Sequence, residues 1–253
     1  GLPAAQATHV LLHGIGSASA SWVAQLHTAV GRADCSVLAW DAPGYGDSTA
    51  LQPAHPTAQD YAERLWDWLD ALKVSAPITL VGHSLGALMA ARATTLAPQR
   101  VARLVLLSPA RGYGNATAAE RAQKLAGRLH NLQTLGPAGM AQKRGAAMLS
   151  ATASTQQVQF IQSVMAQINP HGYTQASHML SQGDLGADLA HVRCHVMVAS
   201  GSADTITPMA ACQAVAAQVH AAWTDLGAVG HACPLEAADA VTALLGLSQP
   251  NTP

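Results

Sequence analysis

The chain has 253 residues, a length that one large α/β domain fills and that buries a sizeable core without a staple or a metal. Thirteen Lys and Arg against 14 Asp and Glu leave a net charge of −1, which argues against a nucleic-acid binder with its basic surplus or stripe. Charged residues make up 11 % and hydrophobic residues 49 % of the chain, a balance that excludes disorder.

Short apolar runs alternate with helical stretches. Thr8–Leu12 predicts a strand ending at His13-Gly14, and Trp22–Val30 a helix. Ser36–Trp40 predicts a second strand, closed by Asp41-Ala42-Pro43-Gly44. Thr57–Leu72 predicts a helix that Thr57 can cap, with Tyr61, Leu65, Trp68, Leu69 and Leu72 at three- and four-residue spacing. Ile78–Val81 is a third strand, followed by a glycine turn and the Ala-rich helix Leu85–Leu96; Val101–Leu107 is a fourth. His195–Ala199 is a fifth strand, Pro208–Val219 a helix with Pro in its first turn, Ala222–Leu226 a sixth strand and Leu235–Leu245 the closing helix. The tail Ser248–Pro253 reads as frayed.

Strand–helix alternation implies a mostly parallel sheet with helices on both faces, an α/β architecture that places its site at the carboxyl ends of the strands. One block breaks the alternation. Residues 111–190 contain no convincing strand and read as helices Thr117–His130, Gly139–Ser150, Thr155–Ile168 and Tyr173–Gln182. This predicts a small helical cap, 111–190, inserted between a first core part, 1–110, and a second, 191–253.

No apolar run approaches the ~20 residues that cross a bilayer, so no membrane partner is expected. No basic-then-apolar leader with a cleavage site opens the sequence. Cys35, Cys194, Cys212 and Cys233 are scattered without a CxxC and read as free thiols of a reducing compartment, which predicts the cytoplasm.

Polar and glycine residues follow the strands. Gly82-His83-Ser84-Leu85-Gly86 fits G-x-S-x-G directly after a strand and directly before a helix, the context of a nucleophile elbow. A strand that reverses sharply into a helix strains the serine backbone and leaves room only for small flanking residues. Ser84 Oγ is then lifted above the sheet, and the Leu85 N–H lies at a helix N-terminus, where free amides favour an anion. A glycine-rich turn with a solvent-facing serine has the same sequence.

A serine nucleophile needs a base and a group that orients the base. Asp204, in Gly201-Ser202-Ala203-Asp204, and His231, in Gly230-His231, both follow predicted strands, in the order Ser, Asp, His. Singly, Asp204 could as well cap the next helix and His231 could be one of 12 histidines on a loop. His13-Gly14-Ile15-Gly16 follows the first strand and can aim a second N–H at the oxyanion, with Ile15 the assigned donor and Gly14 next in line. His13 is read as a brace for that loop.

Together these residues resemble the α/β-hydrolase superfamily, and the resemblance spans nearly the whole chain. It rests on His13-Gly14, the Asp41–Ser48 turn, the Gly82–Gly86 elbow, the Gly201–Asp204 acid turn and Gly230-His231. It implies a mostly parallel sheet, often of eight strands, with a helical cap after the sixth. It also implies no cofactor, and a triad of Ser84 as nucleophile, His231 as base and Asp204 as orienter. The Asp41–Ser48 stretch marks loop structure only. Relatives with Asp or Cys at the nucleophile position are excluded by Ser84, and Ser108-Pro109-Ala110 offers no carboxylate for an acid after the preceding strand. Only 12 residues precede His13, so the family's N-terminal hairpin is missing or trimmed. The cap holds few aromatics (Tyr113, Phe160 and Tyr173), which argues against a large lipid.

The cap carries six basic against three acidic residues, a surplus of +3, and the remainder −4. This fits an anionic substrate steered to a serine site, or a solvated helical surface that is merely basic. Arg111 and Arg128 are candidates for a substrate carboxylate, and Gly14 and His83 for further substrate contacts. His191-x-x-Cys194-His195 runs into a predicted strand and reads as structure, so no metal is expected; Cys233 reads as a buried bystander.

The expected activity is cofactor-independent hydrolysis of small esters or lactones, and the resemblance implies, as a refinement, a carboxylate-bearing substrate of aromatic catabolism such as an enol-lactone. Carbon–carbon bond hydrolysis or a lyase reaction by the same triad is the second expectation, and a non-catalytic ligand receptor the third. The expected partner is a small molecule, with the chain as monomer or small homo-oligomer.

Overall fold

The computed structural model describes residues 2–248. Six strands, β1 (His9–Leu12), β2 (Val37–Ala39), β3 (Ile78–His83), β4 (Val101–Leu107), β5 (His195–Ser200) and β6 (Ala222–Asp225), form one parallel sheet in the order β2-β1-β3-β4-β5-β6. The central strands β3 and β4 are nearly continuous apolar runs because helices cover both faces; the edge strands β2 and β6 are half-buried or exposed. Alternate residues serve opposite faces. Leu80, Leu104 and Val198 join one core cluster, and Val81, Val105 and Ala199 the other, which holds Trp22 and Val241.

On the core faces lie α1 (Val23–Ala29), α2 (Ala58–Ala71) and α3 (Gly86–Leu96). Helix α2 buries Tyr61, Ala62, Leu65, Trp66 and Leu69, one stripe at helical spacing. Its start is fixed by Asp60, whose Oδ2 accepts both the Thr57 N–H and the Thr57 hydroxyl at 2.7 Å.

Between β4 and β5 the described residues hold no strand; they form α4 (Ala118–Arg144), a 3-10 turn at Ala146–Met148, α5 (Thr155–Met165), α6 (Pro170–Gln182) and α7 (Leu185–Leu189). The two helices predicted over 117–150 are the two arms of α4, divided at Gly136. Gly136 leaves the helical region (φ 62°, ψ 175°), and Pro137 restarts the helix in its first turn. Helix α6 starts earlier than its apolar spacing predicts. Asn169 Oδ1 caps it by accepting the His171 N–H at 2.9 Å, with Pro170 in the first turn. Helix α7 is too short to show a period; Asp184 caps it, and Arg92 of α3 pairs with its buried Asp188 at 2.7 Å.

After β5 come α8 (Met209–Gln218), α9 (Cys233–Glu236) and α10 (Ala238–Leu244). The closing helix predicted over Leu235–Leu245 is therefore two, divided where Ala237 turns non-helical (φ −115°, ψ 45°). The fraying expected over 248–253 lies, from 249 onward, outside the described residues. No helix of the described residues is long and apolar enough to cross a membrane.

Replacing Asp60 by Ala removes both cap bonds and a favourable charge at the helix start. The Asp60→Ala variant is expected to lose about 1 kcal/mol of stability in urea denaturation. An unchanged midpoint would mean that α2 is held by packing alone.

Candidate active site

Strand β3 ends at His83, and the chain reverses through Ser84 and Leu85 into α3. Ser84 sits at φ 53°, a left-handed backbone that a non-glycine residue adopts only under constraint. The turn is held by the Ser84 N–H to the Leu107 carbonyl at 3.0 Å and by the Ala110 N–H to the Ser84 carbonyl at 3.0 Å. It is also too tight for side chains on either flank. A Cβ at Gly82 would lie 2.5 Å from the Gly86 carbonyl oxygen, and one at Gly86 2.4 Å from the Leu12 carbonyl oxygen.

Asp204 follows β5, and all its acceptor positions face donors. Oδ1 accepts the N–H groups of Ile206 at 2.8 Å and Thr207 at 2.9 Å. Oδ2 accepts the Thr207 hydroxyl at 2.8 Å and His231 Nδ1–H at 2.9 Å. Burial pushes the Asp204 carboxyl up. The His231 bond and charge, with the Thr207 bonds, outweigh that and hold it well below the usual carboxylate range. Thr207 also lies 3.1 Å from His231 Nδ1, so it steadies both partners. Sequence reasoning missed it; its signal is an Asp with Thr three residues on, the spacing of a side-chain-capped turn.

The loop carrying His231 is fastened on both sides. The Gly230 N–H donates to Glu236 Oε2 at 2.8 Å, and the Ala232 N–H to the Met148 carbonyl at 2.7 Å. The same Glu236 carboxylate accepts the Ser150 N–H at 3.0 Å and the Ser150 hydroxyl. The His231 carbonyl accepts from His83 Nε2 at 2.8 Å, and the two rings stand 5.0 Å apart. His83 therefore braces the His231 loop from the elbow. Burial first, then the neighbouring His231, drive its pKa down to about 3, so it stays neutral.

The His13–Gly16 loop lies against the elbow; a Cβ on Gly14 would meet Ser84 Cβ at 3.1 Å and Ser84 Oγ at 3.5 Å. His13 braces this loop as expected. Its Nδ1–H donates to the Gly14 carbonyl at 2.8 Å, and its Nε2 accepts the Ala42 N–H at 3.0 Å. The Tyr45 hydroxyl donates to the Ile15 carbonyl at 2.7 Å, so the Asp41–Ser48 turn props the loop. Among the described residues neither the Ile15 nor the Leu85 N–H has a hydrogen-bond partner. The Leu85 side chain turns into the core, which leaves only its backbone for the site.

Ser84, His231, His83, Gly14 and Ile15 line one cavity of about 300 Å³. Its far wall comes from α4–α6, with Met140, Ile161, Val164 and Met165 as apolar lining. Arg111 and Arg128 line it as well, and so does Arg144, which the sequence left unassigned. Neither Asp nor Glu lines it, and among the described residues none of these three arginines pairs with a carboxylate. Arg111 is exposed at the rim; Arg128 reaches the Tyr113 hydroxyl at 3.3 Å. Cys233 is outside the lining and buried, with its thiol pushed up to about 12 by burial. All four cysteines are free thiols, and among the described residues no three His, Cys, Asp or Glu side chains gather as a metal would require.

A parallel sheet with a strained serine at its carboxyl edge defines the class, and comparison with known proteins agrees. Residues 10–244 match the alpha/beta hydrolase family, to which this chain belongs. It is 27 % identical over 202 residues to the (E)-2-((N-methylformamido)methylene)succinate hydrolase of Acinetobacter baylyi, covering 77 % of this chain and 72 % of that one. A malate-bound esterase from Thermogutta terrifontis superposes with a TM-score of 0.85 at 20 % identity, over 95 % of this chain and 88 % of that one. The enol-lactonase of Burkholderia xenovorans gives 0.81 at 21 % identity, over 95 % and 90 %. These likenesses in structure bear on the fold.

The buried site makes stability pH-dependent with a definite sign. Below about 6.5 the unfolded chain takes a proton that folded His83, with its pKa near 3, refuses, so stability falls as pH drops across that window. Asp204 acts in the same direction lower down, its contribution intact above the usual carboxylate pKa and lost as pH falls below it. Unfolding free energies from urea titrations between pH 6 and 4 should fall less steeply in His83→Gln than in wild type, by up to about 1.4 kcal/mol per pH unit. Equal slopes would mean that His83 protonates without unfolding.

Proposed function

We propose that this chain is a cofactor-independent serine hydrolase of small carboxylic esters or lactones that carry a carboxylate. The observation that carries the reading is the 2.9 Å hydrogen bond from His231 Nδ1–H to the buried Asp204 carboxylate, with His231 lining the same cavity as Ser84 at its strained turn. Ser84 Oγ attacks the carbonyl carbon while His231 Nε2 takes the hydroxyl proton. The Leu85 and Ile15 N–H groups receive the oxyanion. Collapse returns the proton from His231 to the leaving oxygen and leaves an acyl-enzyme. Water, deprotonated by His231, then attacks the acyl carbon and frees Ser84 with the acid product. Asp204 stays ionised and holds His231 with its Nδ1 proton inward, which its depressed pKa supports.

The anionic preference is supported by a cavity whose formally charged residues are all arginine. It is supported too by a relative whose named substrate is a succinate. The cavity is at the small end for ligand sites, which favours short acyl chains.

Hydrolysis of p-nitrophenyl acetate, butyrate and octanoate by wild type and Ser84→Ala tests the reading. Wild type should turn over the short esters faster than octanoate, and Ser84→Ala should lose at least about 10³-fold in kcat/KM. A variant that keeps most of its activity removes Ser84 as nucleophile. Wild type inert on all three esters but active on a dienoate with a scissile carbon–carbon bond would move the assignment to that chemistry.

A further inference from the structure

Arg128 and Arg144 are 16 residues apart in α4, a separation of about 24 Å along an unbroken helix. Both nevertheless line the same cavity of about 300 Å³. The break at Gly136 makes this possible: its φ of 62° and ψ of 175° belong to a region open essentially to glycine alone, and they redirect the helix so that its two arms face one space. Tyr173 of α6 enters the same space. It is 2 % exposed, lines the cavity, and feels both guanidiniums, since Arg144 and then Arg128 oppose the upward push of burial on its hydroxyl. Among the described residues its hydroxyl makes no hydrogen bond, and neither does the Arg144 guanidinium. Two half-buried guanidiniums without an acidic partner stand at an otherwise apolar wall, where an anionic ligand can pair with both. Arg111, exposed at the rim, is placed to attract that anion from solution rather than to hold it.

We infer that Arg128, Arg144 and Tyr173 form a carboxylate subsite on the cap side of the cavity, selecting monoesters or lactones of dicarboxylic acids. The free carboxylate lies between the two arms of α4 while the reacting carbonyl lies at Ser84. The inference rests on the hydrolase reading for the second half of that statement only; the subsite itself is a binding claim.

Two measurements separate the claims. The first is kcat/KM for mono-p-nitrophenyl adipate relative to p-nitrophenyl hexanoate, which lacks the free carboxylate. Wild type should prefer the adipate by at least about tenfold, and Arg144→Gln and Tyr173→Phe should reduce that ratio, with Arg144→Lys recovering part of it. The second is calorimetric binding of adipate, with inorganic phosphate as the competing anion. Adipate should bind wild type at least about tenfold more tightly than Arg144→Gln, and more tightly than phosphate does. A ratio near one in wild type, or adipate binding that Arg144→Gln leaves unchanged, overturns the subsite; tighter phosphate binding overturns its assignment to a carboxylate. If neither ester is turned over, the ester-hydrolase reading fails, and the calorimetry still decides the subsite.

Discussion

The left-handed backbone at Ser84 is the constraint on which the rest of the site depends. Such a conformation costs roughly 1–3 kcal/mol and persists only where packing over-determines it. Here Gly82 lies against the first turn of α3 and Gly86 against the backbone of Leu12 and His13. The serine turn and the His13–Gly16 loop are thus one packed unit. Any residue larger than glycine at position 86 would push the two apart, and would shift the unpartnered N–H groups of Ile15 and Leu85 relative to each other.

A second constraint ties the other side of the cavity. Residues 230 and 232, on either side of His231, are hydrogen-bonded to Glu236 and Met148, and Glu236 also holds Ser150. Closeness matches the bonding: a Cβ on Gly230 would lie 2.5 Å from the Leu149 backbone. The loop of the proposed base and the end of the helical wall therefore form one body. The cavity roof cannot shift at that point without moving His231, which lines the same cavity as Ser84.

Much of this was legible in the sequence because the signals were local. G-x-S-x-G between a strand and a helix marks a turn that only small flanking residues allow, and the apolar runs of β3 and β4 mark a sheet covered on both faces. Asp204 and His231 were found by their place after strands, and the structure brings them to 2.9 Å. What escaped was non-local or too short for a period. Thr207 matters through bonds to Asp204 and a contact with His231. Arg144 reaches the cavity because the chain turns at Gly136, and the two helices predicted over 117–150 carry no angle between them in the sequence. The division at Ala237 and the capped starts at Asn169 and Asp184 were set by turn chemistry that hydrophobic spacing does not register.

The central claim is that Ser84 is a nucleophile activated by its neighbours, and covalent capture tests it most directly. Wild-type protein would be treated with a small alkyl fluorophosphonate, digested, and read by mass spectrometry, with Asp204→Asn in parallel. The account predicts a single adduct on the peptide that contains Ser84, formed far more slowly in Asp204→Asn. An unmodified Ser84, an adduct on another residue, or equal rates in the two proteins would contradict it.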